Sequence, residues 1–210
     1  MAITYPLALP TATSIATITL RAINSVAVSR SPFTFKEQVF IHSGKRWEAD
    51  ITLPVMQEDN AEAWVTFLLS LRGQRGTFLL GDPVGATPRG SASGAAGTPV
   101  VNGATQTGDT LDIDGCPVSA TGYLKAGDYI QLGTGNSSRL YKVLADVDTD
   151  GSGQATLDIW PSIITAPADG ATVVVSGAKG AFRLASNSSE WNINELALYG
   201  ITFGAVQAIA

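Results

Sequence analysis

From Trp47 to Val55 the chain alternates without interruption: Trp47, Ala49, Ile51, Leu53 and Val55 are apolar, and Glu48, Asp50, Thr52 and Pro54 stand between them. A period of two places every second side chain on one side of an extended backbone. The run therefore predicts a strand with one greasy face and one face carrying both carboxylates. Pro54 cannot donate to a ladder, so that end belongs at a sheet edge or a strand exit. Upstream, Ile18, Leu20 and Ala22 alternate with Thr19 and Arg21, and Val26 and Val28 follow an expected turn at Asn24–Ser25.

One helix interrupts the strands. Ala61, Trp64, Phe67 or Leu68, and Leu71 recur at helical spacing. Asp59 or Asn60 can cap it, and Glu58, Asp59 and Glu62 place negative charge at its positive end. Arg72 suits the other end and Gly73 supplies the stop. Thr77 to Leu80 then resumes a strand, closing at Gly81-Asp82-Pro83.

Composition changes at Val84. The stretch 84–98 is small, glycine-rich and almost uncharged, and reads as a flexible linker. Short strands follow at Thr110–Ile113, Tyr129–Leu132, Arg139–Val147, Ala155–Trp160 and Ala171–Val175, separated by Asx and Gly turns, the pattern of a small barrel or sandwich. Gly177-Ala178-Lys179-Gly180 is a second joint, after which strand alternation returns through Phe182, Leu184, Trp191, Ile193 and a final run ending in LALYGITFGAVQAIA. The two joints predict a small β-barrel, residues 99–180, inserted into a larger β domain of residues 1–83 plus 181–210. Charge follows the same division: residues 84–180 hold five basic and nine acidic residues, every acid an Asp, whereas the flanks hold eight basic and nine acidic ones.

The 210 residues carry a formal charge of −5 and a pI near 4.7, which leaves no basic footprint for tight nucleic-acid binding. A weakly negative surface would let DNA pass without sticking. Only 15% of residues are charged and the mean hydropathy is +0.18, a composition suited to packing into an assembly. No positive charge precedes Arg21, so the start reads as neither a signal peptide nor a membrane span, and synthesis in a cytoplasm is expected.

Four features invite chemistry, and each has a plainer reading. Asp146-Val-Asp148-Thr-Asp150-Gly151 matches the opening of a calcium loop, but the twelfth position is Leu157, with Asp158 one residue late and on the opposite face, so a hairpin turn is favoured. His42, the only histidine, and Cys116, the only cysteine, could in principle pair as base and nucleophile in a cell-wall hydrolase. Cys116 lacks any nucleophile signature, and a surface histidine with a buried thiol is the better reading. One His and one Cys do not fill a zinc site. Gly73-Gln-Arg-Gly76 lacks the spacing and lysine of a phosphate cradle. Tyr129, Tyr141 and Trp160 could form a sugar-stacking platform, although such residues are more often core. The chain is thus expected to have no catalytic, cofactor-binding or metal site.

The order of RWEADITLPVM, the capped helix with AEAWVTFLLSLRGQRGTFLLGDP, and the closing ALYGITFGAVQA resembles the distal tail proteins of long-tailed bacteriophages. The positions carrying the resemblance are Trp47, Trp64, Phe67, Arg72-Gly73, Gly76, Phe78 and Gly81-Asp82, within residues 1–83 and extending to 181–210. The resemblance implies a tail-tube-like split β-barrel with a packed helix, assembled as a ring, hexameric by the family pattern, at the tail tip of the virion. It also implies the tail tube, tape measure and tail hub or baseplate proteins as partners, with a channel for DNA. The inserted barrel would be similar to an oligonucleotide- or oligosaccharide-binding module, although the family can carry that module at the carboxy terminus instead. A carbohydrate-binding accessory role at the host surface is the alternative function.

Overall fold

The computed structural model describes residues 3–209. Its strands are β1 (Thr17–Arg30), β2 (Glu37–Thr52), β3 (Phe78–Leu80), β4 (Val100–Val101), β5 (Thr110–Asp114), β6 (Tyr129–Leu132), β7 (Arg139–Val143), β8 (Ala155–Trp160), β9 (Val173–Val174), β10 (Gly180–Leu184), β11 (Trp191–Ile193) and β12 (Tyr199–Gln207). One α-helix, α1 (Glu58–Ser70), lies among them. The chain is mainly β. No helix among the described residues is long and apolar enough to cross a membrane.

The strands form two six-stranded sheets. The first runs β1-β2-β12-β10-β3, with β11 paired to β12; the second runs β4-β5-β8-β7-β6-β9. An antiparallel bridge between Val100 and Thr172 joins the two ends of the second sheet, which nearly closes it into a barrel. Four apolar residues of the alternating run enter the first core as period two requires: Trp47, Ala49, Ile51 and Leu53 are buried there with Trp64 and Leu68 from α1, Leu71 just after it, and Phe78 and Phe182 from the sheet. The fifth, Val55, does not, because β2 ends at Thr52 and leaves it 65% exposed. A second cluster, including Leu111, Ile113, Tyr123, Tyr141, Leu157 and Ile159, fills the barrel.

The two cores share a wall. Tyr129 and Leu140 belong to the first cluster, whereas their chain neighbours Ile130 and Tyr141 belong to the second. Successive side chains on β6 and β7 therefore point into different cores, and Arg139, Leu140, Tyr141 and Val143 are all buried.

Several local expectations change. Helix α1 begins at Glu58 after Gln57, and no side chain caps it, so Asp59 and Asn60 lie inside its first turn. Arg72 itself adopts the left-handed conformation (φ 52°) just before Gly73 (φ 66°), and Gly73–Arg75 form a short 3-10 turn, so the helix stop uses both residues. The expected turn at Asn24–Ser25 is a bulge inside the 14-residue β1. Asn24 faces Lys45 and Val26 faces Ile41, so only Ser25 on β1 opposes His42, Ser43 and Gly44 on β2.

The 84–98 stretch, read as a flexible linker, is strapped to the barrel. Ser91 N–H donates to Gly122 O (2.9 Å), Ala92 N–H to Tyr123 O (3.0 Å) and Thr98 N–H to Gly115 O (2.9 Å). The buried Asp128 carboxylate accepts from Arg89 N–H (3.0 Å) and Lys125 N–H (2.8 Å). A Cβ on Gly90 would collide with the Gly122 and Tyr123 carbonyls. Small residues here serve close approach to a neighbouring backbone, a use that composition alone does not separate from flexibility.

Candidate assembly surface

Beyond the bulge, residues 25–44 form a two-stranded arm that stands off the rest of the molecule. Every residue in this span except Ser31 is exposed. The register pairs Val26 with Ile41 and Val28 with Val39, so one face of the ribbon is a strip of four β-branched side chains. These are 49%, 76%, 58% and 53% exposed, respectively. The opposite face carries Phe40, and the tip carries Phe33 and Phe35, the former 91% exposed. An isolated two-stranded ribbon with so much wetted apolar surface is marginal in water.

The tip is tightly built. Ser31 N–H donates to Lys36 O (2.9 Å) and Phe35 N–H to Ser31 O (3.0 Å), while the Ser31 hydroxyl accepts from Thr34 N–H (3.3 Å). Phe35 takes φ 56°, a left-handed conformation that costs a bulky residue about 1–3 kcal/mol. Arg30 pairs with Glu37 across the tip. At its base the arm is tied to the barrel: Trp160 Nε1–H donates to Asn24 Oδ1 (2.8 Å), and Lys45 Nζ donates to Asp109 Oδ1 (2.7 Å). The hydrogen bond from Lys45, followed by one from the Ser162 hydroxyl, holds the Asp109 carboxyl below its usual range.

A second apolar prominence lies where β11 turns into β12. Trp191, Ile193 and Leu196 are exposed, Leu196 at 77%, beside Val55 at 65%. Asn194 fixes this hairpin by accepting from Leu196 N–H and Leu198 N–H, both at 3.0 Å. Val55, Asn192, Ile193, Asn194, Leu198 and Gly200 line a cavity of about 280 Å³ under it.

The aromatic trio singled out as a sugar platform is not one. Tyr141 is fully buried in the barrel, its hydroxyl accepting from Ile164 N–H (3.3 Å). Tyr129 is buried in the first core, where Lys142 Nζ lies 4.3 Å from its ring centroid. Burial pushes both phenols up. Trp160 packs edge-on against Trp47 at 4.6 Å between centroids. A stacking platform needs ring faces open to solvent, and here two of three rings are enclosed. Tyr129 and Trp160 instead gather around Trp47, whose Nε1–H donates to Leu140 O (3.0 Å), at the junction of the two sheets.

The acidic turn spends its carboxylates on protein donors, Asp150 within the turn and Asp146 and Asp148 on the 122–126 segment. Asp150 Oδ1 accepts from Ser152 N–H and Gln154 N–H (both 2.8 Å), Asp148 Oδ1 accepts from Gly122 N–H (2.6 Å), and Asp146 receives Ala126 N–H and Lys125 Nζ (both 2.9 Å). These backbone donors hold the Asp150 and Asp146 carboxyls below their usual range. No group of three His, Cys, Asp or Glu side chains suited to a metal ion occurs among the described residues. His42 sits on the exposed arm and Cys116 in the barrel core, where desolvation first of all raises its thiol. Their placement does not assemble a base with a nucleophile.

Much of the closing LALYGITFGAVQAIA is β12, held between β2 and β10, with Ile201, Ala205 and Ala208 buried. The arm is not legible along the chain because Val26 and Val28 alternate as a core strand does, and the expected turn at Asn24–Ser25 proves to be a bulge. Compared with known proteins, the chain matches no family model and no curated sequence.

Proposed function

We propose that the protein is a structural subunit that assembles with copies of itself into a ring at the distal end of a long-tailed phage tail. The ring links the tail tube to the tip apparatus around a channel for DNA. The observation that carries self-assembly is the arm: twenty residues of ribbon, 25–44, with a strip of Val26, Val28, Val39 and Ile41 left in water. Ribbon of this kind gains stability by covering its apolar face and pairing its free strand edge. β1 forms one edge of its sheet, and its outer side has no partner strand among the described residues.

The phage-tail part of the reading rests on the resemblance of residues 1–83 and 181–210 to distal tail proteins, with a mainly β sheet and a single packed helix as that resemblance implies. Six copies, a split tail-tube-like barrel, and tail tube, tape measure and hub neighbours come from the same source. Sedimentation of the purified chain across concentrations, with negative-stain microscopy, tests the assembly; rings with a central opening are expected. A chain that sediments as a monomer throughout and is absent from tailed particles made in its native host refutes the reading.

A further inference from the structure

We propose that the arm tip of one copy seats on the hairpin between Trp191 and Tyr199 of a second copy, with Phe33 entering the cavity beneath Val55, Ile193 and Leu198. This deepens the ring reading above and rests on it.

Geometry rules out the same contact within one chain. The tip lies just before Glu37, and β2 runs 16 residues from there to Thr52. At about 3.3 Å per residue, that is roughly 50 Å. Thr52 pairs with Thr202 on β12, and Met56 bridges Tyr199, so the β11–β12 hairpin lies past the far end of β2. An exposed aromatic knob and a cavity walled partly by Val55, Ile193 and Leu198 thus occupy opposite ends of one molecule. Only another copy can bring them together.

Charge favours the same pairing. Arg30 and Lys36 against the single Glu37 leave the tip cationic. The receiving end has Glu190 and Glu195, with Glu58 and Asp59 following Val55, and there is no Lys or Arg in 184–210 or 47–71. All four acids are exposed. Two other apolar clefts lack that attraction for a cationic tip: one, lined by Leu9, Leu79, Ala86 and Ala178, carries both Asp82 and Lys179, whose charges offset each other, and one, lined by Leu132, Tyr141 and Pro167, carries Arg139 and no acid. Because knob and cavity are different patches, the contact is head-to-tail, the type that generates rings when its rotation closes.

Cysteine pairing tests this directly, since the single native thiol is buried. Phe33→Cys and Leu196→Cys proteins, purified separately, mixed and oxidised, should give the mixed disulfide in excess of either homodisulfide. The same Phe33→Cys protein mixed with Ala86→Cys should not. In a second arm, Glu190→Lys with Glu195→Lys should weaken association at least tenfold by sedimentation, and adding Lys36→Glu to that protein should recover most of it. If wild-type chains assemble but no mixed disulfide forms with Leu196→Cys, or one forms equally with Ala86→Cys, the docking is overturned and the ring reading stands. Monomers at every concentration overturn both.

Discussion

The barrel and the arm treat their sheet edges in opposite ways. In the second sheet, strand follows strand until the Val100–Thr172 bridge joins the two ends, and the 84–98 strap covers part of what remains. Tight Asx and Gly turns let those short strands return on themselves, and a nearly closed sheet has little edge to offer a neighbour. The first sheet continues β1 and β2 beyond its own core for twenty residues and leaves the ribbon wet on both faces. One region satisfies its apolar surface and hydrogen bonds within the chain. The other leaves apolar side chains and a free strand edge uncovered, so a low content of charged residues has different meanings in the two regions.

The largest effect should come from the residue that joins them. Trp47→Ala removes the edge contact with Trp160 and leaves the Leu140 carbonyl without its donor. A loss of about 3–5 kcal/mol is expected, as for other buried aromatics. Calorimetry should also show the single unfolding transition separating into two, with the barrel melting later. A uniform fall with one sharp transition would mean that the cores are joined elsewhere.

A middling effect should follow from releasing the strap. Asp128→Ala strands the Arg89 and Lys125 amides, at a cost of about 1–3 kcal/mol. Trypsin should then cut after Arg89 well before the barrel unfolds, whereas the wild-type strap resists. Equal resistance in both proteins would show that the remaining bonds to Gly122 and Tyr123 suffice.

The smallest effect concerns the arm's tether. The folded Asp109 carboxyl is depressed, so the stabilisation by Lys45 is present above the unfolded value of about 4 and is lost as pH falls through the lower folded value. Asp109 is more than half exposed, which limits the contribution to below about 1 kcal/mol. The stability difference between wild type and Asp109→Asn should stay level from pH 7 to 5 and shrink toward zero below pH 4. A difference that persists in strong acid would assign it to the Ser162 contact or to packing.

The sequence by itself determined the core of β2, the helix and the turn at Asp150. Each of these depends on spacing between near neighbours: period two for Trp47 to Leu53, helical spacing for Ala61 to Leu71, and backbone donors two and four residues from the Asp150 carboxylate. Only the tertiary structure decided which side of a strand meets which core. Tyr129, Tyr141 and Trp160 looked alike along the chain, yet Tyr141 faces the barrel while the other two close around Trp47, because β6 and β7 are walls of two cores at once. It also decided that the small residues of 84–98 are a strap, and that the apparent turn at Asn24–Ser25 is a bulge at the foot of an arm. Burial and strand pairing join residues far apart in the sequence, and alternation has the same period whether a strand's outer face meets protein or water.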